Sequence, residues 1–165
     1  METMYQLLAL DLDGTLLDRS SRVTEQNARA VRRAQMAGVK IALCTGRHLA
    51  DARLFSEQLL APADWAVTVN GALVSRLDGS ETVLSAGLDR RDCRTILEVC
   101  GRYASDPCFY TAERLYFGDG FNRFFDELRR RGHQMVSRQW DGAVYVKEMA
   151  DWEALLEEKG LCFSK

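Results

Sequence analysis

Apolar runs and polar breaks alternate along the first half of the chain. Tyr5 to Leu10 is a short, mostly apolar run that stops at Asp11-Leu12-Asp13-Gly14-Thr15, where charge and glycine end it. A run of that length without polar alternation predicts a strand buried on both faces, as in a parallel sheet. Thr24 offers a helix cap, and Ala28, Val31 and Ala34 give the following segment a weak apolar stripe opposite arginines. That helix is predicted to reach Ala37, with Gly38 suited to close it. Val39 to Cys44 predicts a second strand, broken by Thr45-Gly46-Arg47. His48 to Leu60 then predicts a helix that stops before Pro62. Trp65 to Val69 predicts a third strand, broken by Asn70-Gly71. Strands alternating with helices imply βαβ units and a parallel, Rossmann-like α/β sheet.

After Gly71 the rhythm changes. Ala72 to Arg76 and Glu81 to Ser85 flank Leu77-Asp78-Gly79-Ser80, where Asp-Gly marks a hairpin turn. A helix from about Asp89 to Tyr103 follows, then short strands around Phe109 and Tyr116 and a helix around Phe121 to Arg131. A strand at Ala143 to Lys147, a helix near Asp151 to Glu158 and a stub at Leu161 to Phe163 complete the pattern. Mixed strands and helices predict a separate α+β unit. The boundary falls near residues 77 to 86, giving an α/β core over 1–80 and an α+β unit over 81–165.

Composition narrows the function classes. Among 165 residues, 47% hydrophobic and 28% charged suit a soluble domain with a core. The net charge of -2 gives no reason to expect nucleic acid or an anionic membrane as partner. No apolar run approaches the roughly 20 residues of a membrane helix, and Leu7 to Leu10 is cut by Asp11 and Asp13 as no signal peptide is. A cytoplasmic location is expected. Cys44, Cys93, Cys100, Cys108 and Cys162 form no C-x-x-C pair and read as small buried hydrophobes in a reducing compartment. His48 and His133 are too few and too isolated for a zinc site. Phe109, Tyr110, Tyr116, Phe117, Phe121, Phe124 and Phe125 read as core of the second unit. Arg129-Arg130-Arg131 read as the solvated, favourably charged end of a helix.

The candidate chemistry sits at the ends of the three predicted parallel strands: Asp11-x-Asp13-Gly14-Thr15, Thr45-Gly46-Arg47 and Asn70-Gly71-Ala72. In an open parallel sheet that edge is where ligands bind. Two carboxylates leaving one strand can hold a hard cation such as Mg2+ by oxygen ligands. One can act as nucleophile while the other moves a proton, and the cation offsets repulsion between a carboxylate and a phosphate dianion.

Asp11-Leu12-Asp13-Gly14-Thr15-Leu16-Leu17 resembles the first signature of haloacid-dehalogenase-like phosphatases. Thr45-Gly46-Arg47 resembles their second motif in the Cof-type branch, which carries an α+β cap inserted after the third core strand, and Asn70-Gly71-Ala72 is similar to that branch's loop after the third strand. The resemblance runs from about residue 5 to the end. It implies that Asp11 is the nucleophile, forms an aspartyl-phosphate and binds Mg2+ through one oxygen. It implies that Asp13 is the general acid and base, with its backbone carbonyl on the metal, and that Thr45 binds the transferring phosphoryl group. Gly46, Arg47, Asn70 and Gly71 would line the substrate side. The implied activity is hydrolysis of a small phosphorylated metabolite such as a sugar phosphate.

The family also uses a lysine and a late acidic motif, Gly-Asp then Asn-Asp, both after the cap. The sequence ends while it still reads as cap, so the resemblance implies a chain lacking that segment. Gly118-Asp119-Gly120-Phe121-Asn122-Arg123 mimics the acidic motif, but no buried parallel strand is predicted before it and Arg123 replaces the final acid. Lys147 lies where caps of this branch often carry a lysine, and Lys165 has no context. A three-strand parallel core leaves an unpaired apolar edge, which predicts a homo-oligomer or a poorly soluble protein. Competing readings are a phosphomutase-type transferase, a non-catalytic remnant acting as an interaction module, and a response-regulator-like phosphoacceptor. The last accounts for neither Thr45-Gly46-Arg47 with Asn70-Gly71 nor the second unit.

Overall fold

A computed structural model describes residues 5–112, 114–131, 142–158 and 163–164. His133, Leu161, Cys162 and Lys165 lie outside the described residues, as does the side chain of Phe125. The chain divides into two units, Met1–Ser85 and Ala86–Lys165.

The first unit runs β1 (Leu7–Asp11), α1 (Glu25–Met36), β2 (Lys40–Cys44), α2 (Leu49–Glu57), β3 (Trp65–Thr68), β4 (Leu73–Arg76) and β5 (Thr82–Ser85). The sheet order is β1-β2-β3-β4-β5. β1, β2 and β3 pair in parallel, while β4 and β5 continue the sheet antiparallel. α1 begins where expected: Thr24 Oγ1 accepts from Asn27 N at 3.2 Å, and Gly38 takes φ 89° just past its end. Ile41, Leu43, Phe55, Ala66 and Leu12 have no exposed surface and form the centre of the core.

Two expectations change here. β1 was expected to be buried on both faces, yet Leu7 and Leu8 are 55% and 37% exposed. Among the described residues β1 pairs with β2 alone, at the edge of the sheet, which leaves one side of it open. The segment Glu81 to Ser85 was assigned to the second unit. Its strand pairs with β4, Leu73 opposite Ser85, and these backbone bonds hold it in the first unit.

The second unit runs α3 (Arg90–Arg102), β6 (Cys108–Tyr110), β7 (Leu115–Phe117), α4 (Asp119–Arg130), β8 (Ala143–Tyr145) and α5 (Met149–Glu157), with sheet order β6-β7-β8. Alternation along β7 divides the apolar residues between two clusters. Tyr116 packs with Phe109, Trp152, Leu97 and Phe163, whereas Leu115 and Phe117 pack with Tyr110 and Phe121. Phe124 is 54% exposed and stands outside this core. β7 is buried at all three residues and pairs in parallel with β8. A buried strand with a parallel partner therefore does precede Asp119, contrary to the sequence reading.

Candidate active site

Three strand ends build the site, and each is shaped by buried anchors with polar residues left outside. β1 delivers Asp11 opposite Cys44 of β2. The chain then turns tightly through Leu12–Leu16. Leu12 and Leu16 are buried while Asp13, Gly14 and Thr15 are exposed, so apolar burial pins both ends of the turn. Gly14 takes φ 81°, a left-handed conformation that a side chain at this point would oppose. Thr15 Oγ1 donates to Asp11 Oδ2 at 2.9 Å, which orients the carboxylate.

The second turn follows β2. Thr45 N donates to Val67 O on β3 at 2.8 Å, and Thr45 Oγ1 accepts from Arg47 N at 3.1 Å. Arg47 reaches back to the first turn. Its Nε donates to Asp13 Oδ2 at 2.8 Å and its Nη2 to Asp13 Oδ1 at 2.6 Å, a two-pronged ion pair. The guanidinium also lies over the ring of Phe55, 5.0 Å from its centroid. His48 caps α2 by accepting from Ala50 N at Nδ1, which gives this buried histidine a structural task.

The third turn follows β3. Val69 and Asn70 take φ 54° and 57°, and Gly71 takes φ 94°. Val69 N donates to Arg47 O at 3.0 Å, tying this turn to the second. Gly46 faces the Asn70 amide so closely that a Cβ there would overlap Asn70 Oδ1. The structure thus brings Asp13 to Arg47, Arg47 to Thr45, and Gly46 to Asn70. Gly71 shapes the turn without a side chain of its own.

Electrostatics near Asp11 are simple. Burial, and then the charge of Asp11, push the Cys44 thiol above its ordinary pKa, so it stays neutral beside the carboxylate. Sequence reasoning left Thr15 and Phe55 without a role. The only signals were a hydroxyl four residues after Asp11 and an aromatic on the helix that follows Arg47.

The donor set is compatible with a hard cation. Mg2+ is commonly held by one or two carboxylates together with substrate phosphate and water. Asp11 Oδ1 lies outside the Thr15 bond, and the backbone carbonyl of Asp13 is a second oxygen donor from the same turn. The Asp13 carboxylate is occupied by Arg47. Among the described residues no cluster of three histidine, cysteine or carboxylate side chains able to hold a metal ion is found. Asp119 belongs to the second unit, where its Oδ1 accepts from Tyr145 OH at 2.6 Å and Gly120 N beside it donates to Asp106 Oδ2. Lys147 pairs with Glu148 at 3.2 Å on the surface of the second unit.

Comparison with known proteins gives a consistent result. Residues 8–156 match the family of haloacid dehalogenase-like hydrolases. The chain is 33% identical over 115 residues to YxeH of Bacillus subtilis, a candidate phosphatase by its name, covering 68% of this chain and 43% of that one. A haloacid dehalogenase-like hydrolase structure from B. subtilis superposes with a TM-score of 0.74 at 22% identity, over 96% of this chain and 59% of the other. The subclass IIB sugar phosphatase BT4131 superposes with a TM-score of 0.68 at 19% identity, over 90% of this chain and 55% of the other. The chain therefore spans about half the length of the proteins it matches. No helix among the described residues is long and apolar enough to cross a membrane.

Proposed function

We propose that this chain, which belongs to the haloacid dehalogenase-like hydrolase family, carries the nucleophile-bearing site of a phosphatase for small phosphorylated metabolites such as sugar phosphates. The observation that carries the reading is the assembly of three strand-end turns, with Asp11 oriented by Thr15 and Asp13 tied to Arg47. The Asp11 carboxylate attacks phosphorus as the ester P–O bond breaks, giving an aspartyl-phosphate. Asp13, having left Arg47 and taken a proton from solvent, gives that proton to the departing oxygen. It then takes a proton from the water that attacks the same phosphorus, which releases phosphate and restores Asp11. Thr45 binds the transferring phosphoryl group, and Gly46, Arg47, Asn70 and Gly71 line the substrate side. Mg2+, held by the Asp11 carboxylate and the Asp13 backbone carbonyl, would offset the repulsion between carboxylate and phosphate dianion.

The sugar phosphatase BT4131 supports the substrate class by its structural likeness. The free thiols of Cys44 and Cys100 are compatible with the cytoplasm. The exposed apolar edge of β1 supports self-association, which light scattering at high concentration checks. The deciding experiment is hydrolysis of an aryl phosphate with and without Mg2+, comparing wild type with Asp11→Asn. Mg2+-dependent turnover that vanishes in the variant is expected. Turnover no greater than that of the variant, from folded protein, would leave the chain a non-catalytic binding module.

A further inference from the structure

We propose that Arg47 is an exchangeable latch, holding the Asp13 carboxylate until a phosphoryl anion takes the guanidinium and sets Asp13 loose. The consequence for proton transfer rests on the phosphatase reading; the exchange itself does not. As it stands, both Asp13 side-chain oxygens are engaged by Arg47, at 2.8 and 2.6 Å. A carboxylate held in this way is pointed at the arginine rather than at a leaving group. General acid–base work needs it within reach of the proton it moves, so the pair must open during turnover.

Which partner moves follows from how each is anchored. Arg47 is fixed at both ends. Its N–H donates to Thr45 Oγ1, its carbonyl accepts from Val69 N at 3.0 Å, and its guanidinium lies over Phe55, a residue with no exposed surface. Only 20% of the Arg47 side chain is exposed, against 55% for Asp13. Asp13 occupies an exposed position of the turn, directly before Gly14, and its side chain faces solvent more than that of Arg47 does. The arginine therefore stays and the aspartate leaves.

The energetics allow this exchange. Asp13 is 55% exposed, so water and dissolved anions can already compete at its side of the pair. A phosphate dianion offers the same planar fork two oxygens and twice the charge. Thr45, whose hydroxyl already touches the Arg47 backbone, stands at the same turn to receive the anion. One ligand would thus bind at Arg47 and release Asp13 in a single event, without a separate conformational signal.

The test is a double-mutant cycle on orthophosphate affinity, read by phosphorus NMR titration at constant Mg2+. If Asp13 competes for Arg47, Asp13→Asn tightens phosphate binding about three- to tenfold in the wild-type background. The same change gives less than twofold in the Arg47→Gln background, because nothing is left to compete for. Simple charge repulsion predicts an equal gain in both backgrounds, and that result overturns the latch. So does the lack of any gain, or of phosphate binding to the wild type. A measurement without substitution guards against damaged variants: the carbon resonance of the Asp13 carboxyl should shift on phosphate addition, and a resonance that stays still overturns the proposal. Phosphate binding is read without turnover, so failure of the latch and failure of the phosphatase reading are separate outcomes.

Discussion

Adding one methyl group at position 46 tests how closely the second and third turns are wedged together. A Cβ on Gly46 would fall within 3.0 Å of Asn70 Oδ1, with Asn70 Cγ and Nδ2 at 3.4 and 3.8 Å. Ordinary contact begins near 3.4 Å, so the amide oxygen must retreat by about one ångström. The backbone behind it has little room to follow, since Val69, Asn70 and Gly71 hold three successive left-handed φ angles. Either the Asn70 side chain leaves its rotamer, at about 0.5–1.5 kcal/mol, or the turn shifts as an overpacked site does, at about 1–3 kcal/mol. Gly46→Ala is therefore expected to lower the unfolding free energy by about 1–2 kcal/mol, read as a lower urea midpoint at unchanged slope. The clash has a single partner, so in the Asn70→Ala background most of that loss should disappear. The cycle then gives a coupling of about 1 kcal/mol, well above the scatter for independent sites. An equal loss in both backgrounds would refute the reasoning, because the strain would then lie somewhere other than the contact between the two turns.

Three further outcomes are expected. Phe55→Ala empties a fully buried site beneath Arg47 and should cost about 3–5 kcal/mol in urea unfolding; a loss under about 1 kcal/mol would mean the core there collapses freely. Gly118→Ala drives a Cβ to 2.6 Å from both Cβ and Cγ of Asp106, atoms near the backbone that cannot swing away. It should destabilise the second unit by about 1–3 kcal/mol or more, whereas Gly101→Ala, whose nearest such neighbour is a methionine methyl at 3.9 Å, meets no clash. For Asp64, burial works against its charge, but the Ile41 N–H and the Lys40 ammonium outweigh it and hold the carboxyl below its usual 3.8. Such a group adds stability above its unfolded pKa and loses it as pH falls through the lower folded value. Wild type should therefore exceed Asp64→Asn in urea midpoint at pH 6, with the gap closing below pH 3.8; a gap independent of pH would contradict the assignment.

Much of the architecture was legible because local signals and tertiary pairing agree. Thr24 caps α1, Gly38 ends it, and the breaks at Asp11, Thr45 and Asn70 fall at the ends of β1, β2 and β3. Where reading by pattern failed, the cause was partner choice. An apolar run such as Tyr5 to Leu10 looks the same at a sheet's centre or its edge, because burial depends on neighbours it does not encode. The same holds for β7, whose parallel pairing with β8 spans a long separation in the chain.

At the candidate site the division is sharper. The sequence alone determined which residues leave the strand ends, since charge and glycine cannot continue a buried strand and must turn toward solvent. It also carried the three motifs that mark the family. Only the tertiary structure decided what those residues do to one another. The Arg47–Asp13 pair joins positions thirty-four residues apart in sequence, and the Gly46–Asn70 contact joins two different turns. Such contacts arise because parallel pairing stacks β1, β2 and β3 in register and brings their ends to one edge. Spacing along the chain records each turn, but the distance between turns is set by the sheet.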